Sequence, residues 1–210
     1  MIGITPENAP LFNQNLKGES PEDVVSFVLE HTATPIITTS FGGYSEVLIH
    51  SILSQSKHIP VIWVDTGLNT PQTYAHADYL KSKYNLNLHI VSPLHTPAYL
   101  EYHYGVPGLE NPNHEALSKI LKHDPLTKAL RSFGPDVWFT NLRKTQTSHR
   151  QELDILSFSP DGLLKVSPFF NYSELDLATY VTTHNLKTEF RYTDPVKALS
   201  KRECGIHFTN

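Results

Sequence analysis

The fold is set by one stretch of sequence, Pro35-Ile36-Ile37-Thr38-Thr39-Ser40-Phe41-Gly42-Gly43-Tyr44-Ser45. Its first six residues are rich in β-branched side chains and predict a short strand, and apolar residues at helical spacing follow over residues 45–53. Small residues at the turn let backbone amides approach an anion, and the N-terminus of a helix adds a favourable partial charge. The stretch therefore predicts a strand, a tight loop that could bind an anion, and a helix.

The same alternation of elements continues along the chain. Residues 59–64 and 86–91 predict two further strands, and the spacing over residues 71–84 predicts a helix between them. Strands that alternate with helices in this order form parallel sheets. We therefore predict an α/β protein with a mostly parallel sheet and helices on both faces. The other predicted elements are helices over 21–29, 115–132 and 174–184, a strand over 136–140, a hairpin over 155–166 and a loop-rich region over 92–113.

The length of 210 residues fits one domain with two flanking segments. Residues 1–20 are rich in Asn, Pro and Gly and predict a loosely docked N-terminal arm. Residues 21–190 form the predicted α/β domain, which begins with a helix capped by Ser20 and carrying Pro21 in its first turn. Residues 191–210 form the predicted C-terminal tail.

Composition and charge exclude several classes of protein. Hydrophobic residues make up 39% of the chain and charged residues 18%, as in ordinary globular proteins, and the net charge of -4 argues against a general nucleic-acid partner. No apolar run resembles a membrane span and the N-terminus lacks the pattern of a secretory signal, so the expected location is the cytoplasm. The 12 histidines lack metal-ligand spacing and one cysteine cannot form a cage, so no metal site is expected.

Two loops at neighbouring strand ends are candidate ligand sites. The first contains Thr39, Ser40, Phe41, Gly42, Gly43 and Ser45, and it lacks both the Walker ending and the glycine spacing of dinucleotide-binding folds. The second is Asp65-Thr66-Gly67. Because open α/β sheets bind ligands at the carboxyl ends of their strands, the two loops together predict one crevice. Two alternatives stay open, namely that the glycines only form a bend and that Asp65 only caps its turn.

A basic segment over residues 141–150 follows the strand predicted at 136–140. It carries Arg143, Lys144, Gln146 and Arg150, and Lys122 lies upstream. Guanidinium groups suit phosphate or sulfate oxygens, and the hydroxyl and amide side chains among them favour oxyanion binding over a plain solvated face. The solvated face remains the alternative.

The single cysteine, Cys204, lies in the basic sequence Lys201-Arg202-Glu203-Cys204-Gly205-Ile206-His207. A lone thiol can serve as a nucleophile, a redox partner or an intermolecular link, whereas many single cysteines are buried and inert. Neighbouring cations and His207 favour the reactive thiolate, and Glu203 opposes it.

Taken together, these motifs resemble those of the thioredoxin-dependent phosphoadenylyl sulfate (PAPS) reductases, the cluster-free branch of the sulfonucleotide reductases. Ser40-Phe41-Gly42 is similar to the modified PP-loop of that family, and Asp65-Thr66-Gly67 to its second nucleotide-contacting segment. Lys122 and the segment from Arg143 to Arg150 resemble its phosphosulfate-binding elements. The sequence Glu203-Cys204-Gly205-Ile206-His207 resembles its catalytic tail.

The resemblance implies an adenine nucleotide α-hydrolase-like fold, a nucleotide-binding domain over residues 21–190 and a mobile catalytic tail over 191–210. It also implies that Cys204 attacks the sulfur of PAPS to form an S-sulfocysteine, with His207 assisting. Reduced thioredoxin, or glutaredoxin, then releases sulfite. No bound cofactor is expected, and one cysteine excludes an Fe–S cluster. The expected partners are the nucleotide and thioredoxin, with a homodimer as an open alternative to a monomer.

This chain departs from the family in the segment 187–202, which is short and lacks a Gly-Asp pair. Two other functions therefore stay open. One is an ATP-using PP-loop enzyme of the adenylyl-transfer or pyrophosphatase type, although the aspartate of that loop is missing here. The other is a nucleotide-binding module that has lost catalysis.

Overall fold

The computed structural model describes residues 3–56, 58–146 and 149–196. No helix among these residues is long and apolar enough to cross a bilayer. The predicted catalytic residues Cys204 and His207 lie outside the described residues.

The helices are α1 (Ala9–Leu16), α2 (Pro21–Leu29), α3 (Ser45–Leu53), α4 (Pro71–Tyr84), α5 (Pro97–Tyr104), α6 (His114–Ser118), α7 (Asp124–Phe133) and α8 (Glu174–Thr183), and a π-helical turn (Lys119–His123) joins α6 to α7. The strands are β1 (Pro35–Thr39), β2 (Val61–Val64), β3 (Leu88–Val91), β4 (Val137–Phe139), β5 (Leu156–Phe158) and β6 (Leu164–Val166), and two 3₁₀ turns (Lys144–Gln146 and His149–Glu152) lie between β4 and β5.

The six strands form one sheet in the order β3-β2-β1-β4-β6-β5. Every neighbouring pair is parallel except β5 and β6, which form the predicted hairpin. The central strand β1 pairs with β2 through Ile37 and Val61 and with β4 through Pro35 and Val137. The prediction of a mostly parallel α/β sheet is confirmed.

Helices cover both faces of the sheet because successive residues of a buried strand point to opposite sides. On β1, Ile37 packs in a large core with residues of α2, α3 and α4. Its neighbour Ile36 packs on the other face with Trp138 of β4 and Leu130 of α7. Both isoleucines are fully buried, and each contributes about 1.5–3 kcal/mol relative to an exposed side chain.

Helix α5 lies inside the region predicted as loop over residues 92–113, so that prediction is wrong for Pro97–Tyr104. The start signal was present, because the Thr96 hydroxyl accepts a hydrogen bond from the Tyr99 amide and Pro97 occupies the first turn. Only Leu100 of this helix is buried. Without an apolar stripe, periodicity does not reveal such a helix.

The N-terminal arm also differs from its prediction, because it is not loosely docked over residues 9–16. Helix α1 buries Ala9 and Leu16 in the large core. The side chain of Asn13 lies against the edge strand β5, where Oδ1 accepts from the Leu156 amide at 2.8 Å and Nδ2 donates to the Leu156 carbonyl at 2.9 Å. The Asn13 side chain thus supplies hydrogen-bond partners to the backbone of the edge strand, which would otherwise lack them on its outer side.

We expect Asn13→Ala to lower the free energy of unfolding by about 1–3 kcal/mol, because the substitution removes two buried hydrogen bonds and leaves the Leu156 groups unpaired. Urea denaturation measures the change. Asn8→Ala is the matched control, since Asn8 makes its hydrogen bonds at the exposed start of α1. Equal stability of Asn13→Ala and the unsubstituted protein would show that the arm does not stabilise the sheet edge.

Candidate functional site

The loop between β1 and α3 is shaped by residues with left-handed backbone. Phe41 has φ 54° and Gly43 has φ 50°, and the Phe41 amide donates to the Thr39 hydroxyl at 3.0 Å. The Phe41 side chain does not point into a ligand site, because it is fully buried and packs edge-on against Trp63 with ring centroids 5.0 Å apart. Phe41 therefore anchors the loop, and its backbone strain is offset by packing.

This loop borders a cavity of about 420 Å³ at the carboxyl edge of the sheet. That volume lies in the range of small-molecule sites. The position agrees with the rule for open α/β sheets. Ten of the residues predicted for substrate binding line it, namely Thr39, Ser40, Gly42, Gly43, Ser45, Thr66, Lys122, Arg143, Gln146 and Arg150.

The other four predicted residues, Phe41, Asp65, Gly67 and Lys144, do not line the cavity. Asp65 behaves as the capping alternative predicts, because Oδ1 accepts from the Gly67 amide, from Asn69 Nδ2 and from the Tyr74 hydroxyl at 2.9–3.0 Å. Gly67 has φ 73°, and a Cβ there would lie 2.9 Å from Pro97, so this glycine serves a close approach to α5. Lys144 is exposed to solvent.

Arg143 and Arg150 form a basic wall of the cavity. Arg143 is buried, donates to Glu174 Oε1 at 2.6 Å and lies over the Tyr44 ring at 5.2 Å. Gln146 Oε1 accepts from the Arg143 backbone amide at 3.0 Å and from the Arg150 guanidinium, so it ties the Arg150 side chain to the backbone at Arg143. The Arg143 Nε group is buried and has no acceptor among the residues that the structure describes. A donor of this kind suits a ligand oxyanion.

Sequence reasoning missed several residues that line the cavity. Lys165 lies in strand β6 with its ammonium 5.4 Å from the ring centroid of Trp138, and Trp138 Nε1 donates to the Thr38 hydroxyl at 2.8 Å. A lysine between Leu164 and Val166 in a buried strand was an available signal, because charges are rarely buried without a use. Tyr192 and Asp194 also line the cavity and were missed.

Residues 187–196, which we call the strap, include four residues that line the cavity, namely Phe190, Tyr192, Thr193 and Asp194. The Lys187 amide donates to the buried carboxylate of Glu46 at 2.6 Å. Gly43 and Glu189 exchange two backbone hydrogen bonds at 2.6 and 3.2 Å. Gly42 allows close approach of Tyr192, since a Cβ at position 42 would overlap that ring. The strap is thus fastened directly to the loop that borders the cavity.

The strap ends in an ion pair between Asp194 and Lys122. Burial opposes ionisation of Asp194, but the Lys122 ammonium outweighs it and holds the pKa of this carboxyl below its ordinary value. Burial raises the pKa of the neighbouring Tyr192 phenol to about 12, so Tyr192 is neutral at physiological pH. The pair therefore consists of a carboxylate and an ammonium at neutral pH.

Among the described residues, no group of three or more His, Cys, Asp and Glu side chains is arranged to hold a metal ion. The charged groups that line the cavity are mainly cations, namely Lys122, Arg143, Arg150 and Lys165. Such a surface favours a ligand with several anionic oxygens.

Comparison with known proteins gives consistent results. Residues 34–192 match the family model described as phosphoadenosine phosphosulfate reductase domain. A phosphoadenosine 5′-phosphosulfate reductase of Thiocapsa roseopersicina is 35% identical over 181 residues, which cover 83% of this chain and 73% of that protein. The crystal structure of a PAPS reductase from Candida auris, a phosphate complex, superposes with a TM-score of 0.75 at 23% identity over 90% of this chain and 91% of that one. The NH3-dependent NAD synthetase of Campylobacter jejuni has a TM-score of 0.56 at 10% identity over 87% and 79%.

Proposed function

Because the chain belongs to the phosphoadenosine phosphosulfate reductase family, we propose that it reduces 3′-phosphoadenylyl sulfate to sulfite and adenosine 3′,5′-bisphosphate. The observation that carries this proposal is the cavity at the carboxyl edge of the sheet, where the loop after β1 meets Lys122, Arg143 and Arg150. The substrate carries a phosphosulfate and a 3′-phosphate, so several anionic oxygens need cationic and amide donors.

The described residues supply binding and orientation. The small residues of the loop let backbone amides approach the phosphosulfate, and the N-terminus of α3 adds its partial positive charge. Arg143 and Arg150 are held in place by Gln146 and Glu174, so they neutralise charge without reorganising. Because adenosine bisphosphate is a good leaving group, alignment and charge neutralisation are the main work of the site.

The reaction steps follow from the resemblance of residues 203–207 to the family's catalytic tail. The Cys204 thiolate attacks the sulfur of PAPS, the bond from sulfur to the phosphate oxygen breaks, and the bisphosphate leaves with that electron pair. His207 favours the thiolate. A thiolate of reduced thioredoxin then attacks Cys204 Sγ and expels sulfite. The second thiol of thioredoxin releases Cys204 and leaves thioredoxin as a disulfide, which accounts for the two electrons transferred.

One assay separates this function from its rivals. The protein is supplied with PAPS, thioredoxin, thioredoxin reductase and NADPH, and sulfite is measured. Sulfite formation supports the reductase. Release of pyrophosphate from ATP without sulfite would favour the ATP-using enzyme, and tight binding of adenosine bisphosphate without any turnover would favour the binding module.

We expect Arg143→Ala and Arg150→Ala each to weaken binding of adenosine 3′,5′-bisphosphate or turnover of PAPS by about 1–3 kcal/mol, because each removes a charge-assisted donor from the cavity wall. Calorimetry measures the binding constant. Arg131→Ala is the matched control, since Arg131 is exposed on α7 and outside the cavity. Unchanged binding and turnover in both variants would show that the basic segment is an ordinary solvated surface and does not bind the ligand.

A further inference from the structure

The strap places a carboxylate of the protein itself on a cation of the ligand site. Asp194 Oδ2 is paired with the Lys122 ammonium and accepts from the Tyr192 hydroxyl at 3.1 Å, and Oδ1 accepts from the Val196 amide at 3.1 Å. The Asp194 side chain is only 4% exposed. The carboxylate is therefore held by three donors.

Both partners of this ion pair line the same cavity. In the proposed function, Lys122 binds an oxyanion of the substrate. The Asp194 carboxylate is already paired with the same ammonium group. An oxyanion brought to Lys122 would lie beside the Asp194 carboxylate, and two like charges at such a distance in a buried site repel strongly. This repulsion favours the loss of one of the two anions from Lys122.

We propose that Asp194 is an internal competitor of the substrate, and that ligand binding exchanges the Asp194 carboxylate on Lys122 for a ligand oxyanion. This inference rests on the proposed function. It makes Asp194 a specificity-determining residue, because the exchange lowers the affinity of ligands that bring an anionic group to Lys122. The affinity of ligands that do not engage Lys122 is unchanged.

The exchange does not require the strap to detach. The upstream fastenings, which are Lys187 on Glu46 and Glu189 on Gly43, involve neither Asp194 nor Lys122. Loss of the Asp194 charge should therefore remove the competing carboxylate from Lys122 while residues 187–189 stay in place. An amide at position 194 also keeps the size of the side chain and can still accept from the Val196 amide.

The test is calorimetric binding of two probes, adenosine 3′,5′-bisphosphate and uncharged adenosine, to the unsubstituted protein and to Asp194→Asn. We expect the bisphosphate to bind Asp194→Asn about tenfold more tightly, since a repelling charge is removed, and adenosine to bind both proteins alike. Asp78→Asn is the charge-matched control, because Asp78 is exposed on α4 and outside the cavity, and its binding should match that of the unsubstituted protein. Asp194→Ala gives the same comparison if the asparagine variant does not fold.

Each other outcome overturns the exchange. If the bisphosphate binds the variant equally or more weakly, Asp194 supports the site and does not compete. If the affinity for adenosine rises as much as the affinity for the bisphosphate, the substitution only makes the cavity less tightly packed. In both cases the proposed function stands if the unsubstituted protein forms sulfite from PAPS, because sulfite formation does not depend on the exchange. If neither protein binds it and no sulfite forms, both the exchange and the proposed function are wrong.

Discussion

Cys204→Ser should abolish sulfite formation from PAPS and thioredoxin, with a fall in rate of about 10⁴-fold or more. A serine hydroxyl is barely ionised at neutral pH and is a weak nucleophile without an adjacent base, whereas a thiolate attacks sulfur readily. Serine also cannot form the mixed disulfide through which a dithiol protein would release the product. The coupled assay with NADPH measures the rate.

Binding is the control for this substitution. Cys204→Ser should bind adenosine 3′,5′-bisphosphate like the unsubstituted protein, because the cations that line the cavity are unchanged. A variant that binds the nucleotide but makes no sulfite assigns the chemistry to the thiol. Sulfite formation at an undiminished rate would remove Cys204 from the mechanism and contradict the likeness of residues 203–207 to a catalytic tail.

The second large effect concerns Glu46, which is fully buried at the start of α3. Its carboxylate accepts from Lys83 at 2.6 Å, from the Tyr84 hydroxyl at 2.9 Å and from the Lys187 amide at 2.6 Å. It therefore joins α3 to the end of α4 and to the first residue of the strap. We expect Glu46→Ala to lower the free energy of unfolding by about 2–5 kcal/mol, because three donors lose their acceptor and a buried space is left.

Urea denaturation of Glu46→Ala is compared with two further variants. Glu46→Gln should lower the free energy of unfolding by less than Glu46→Ala, since its amide oxygen still accepts from one of the donors. Lys119→Met removes an ion pair of the same length, 2.6 Å to Asp124, at an exposed position and should cost about 1 kcal/mol or less. If Glu46→Ala were no more costly than Lys119→Met, the buried carboxylate would not hold the strap to the domain.

Much of the fold followed from local signals in the sequence. β-Branched residues located β1, Ser20 caps the helix that it precedes, and Asp161-Gly162 lies at the turn of the hairpin. Each of these signals acts between residues close in the chain. The mostly parallel direction of the strands follows from them because strands that alternate with helices are joined by crossovers, whereas the strand order was not predicted.

The contacts that shape the site are different, because they join residues far apart in sequence. Lys122 meets Asp194, Arg143 meets Glu174 and Gly43 meets Glu189. No local pattern marks such pairs, so the strap could not be predicted as part of the cavity. For the same reason Phe41 was assigned to the ligand by its place in the loop, whereas its packing on Trp63 directs it into the core.

The most direct test of the account is a mass measurement on the protein incubated with PAPS in the absence of any thiol reductant. We predict that the peptide containing Cys204 gains the mass of one SO3 group, with one adenosine 3′,5′-bisphosphate released per chain. We also predict that later addition of reduced thioredoxin removes this group as sulfite. An unmodified Cys204 peptide in a preparation that still forms sulfite, or an SO3 group on another residue, would contradict it.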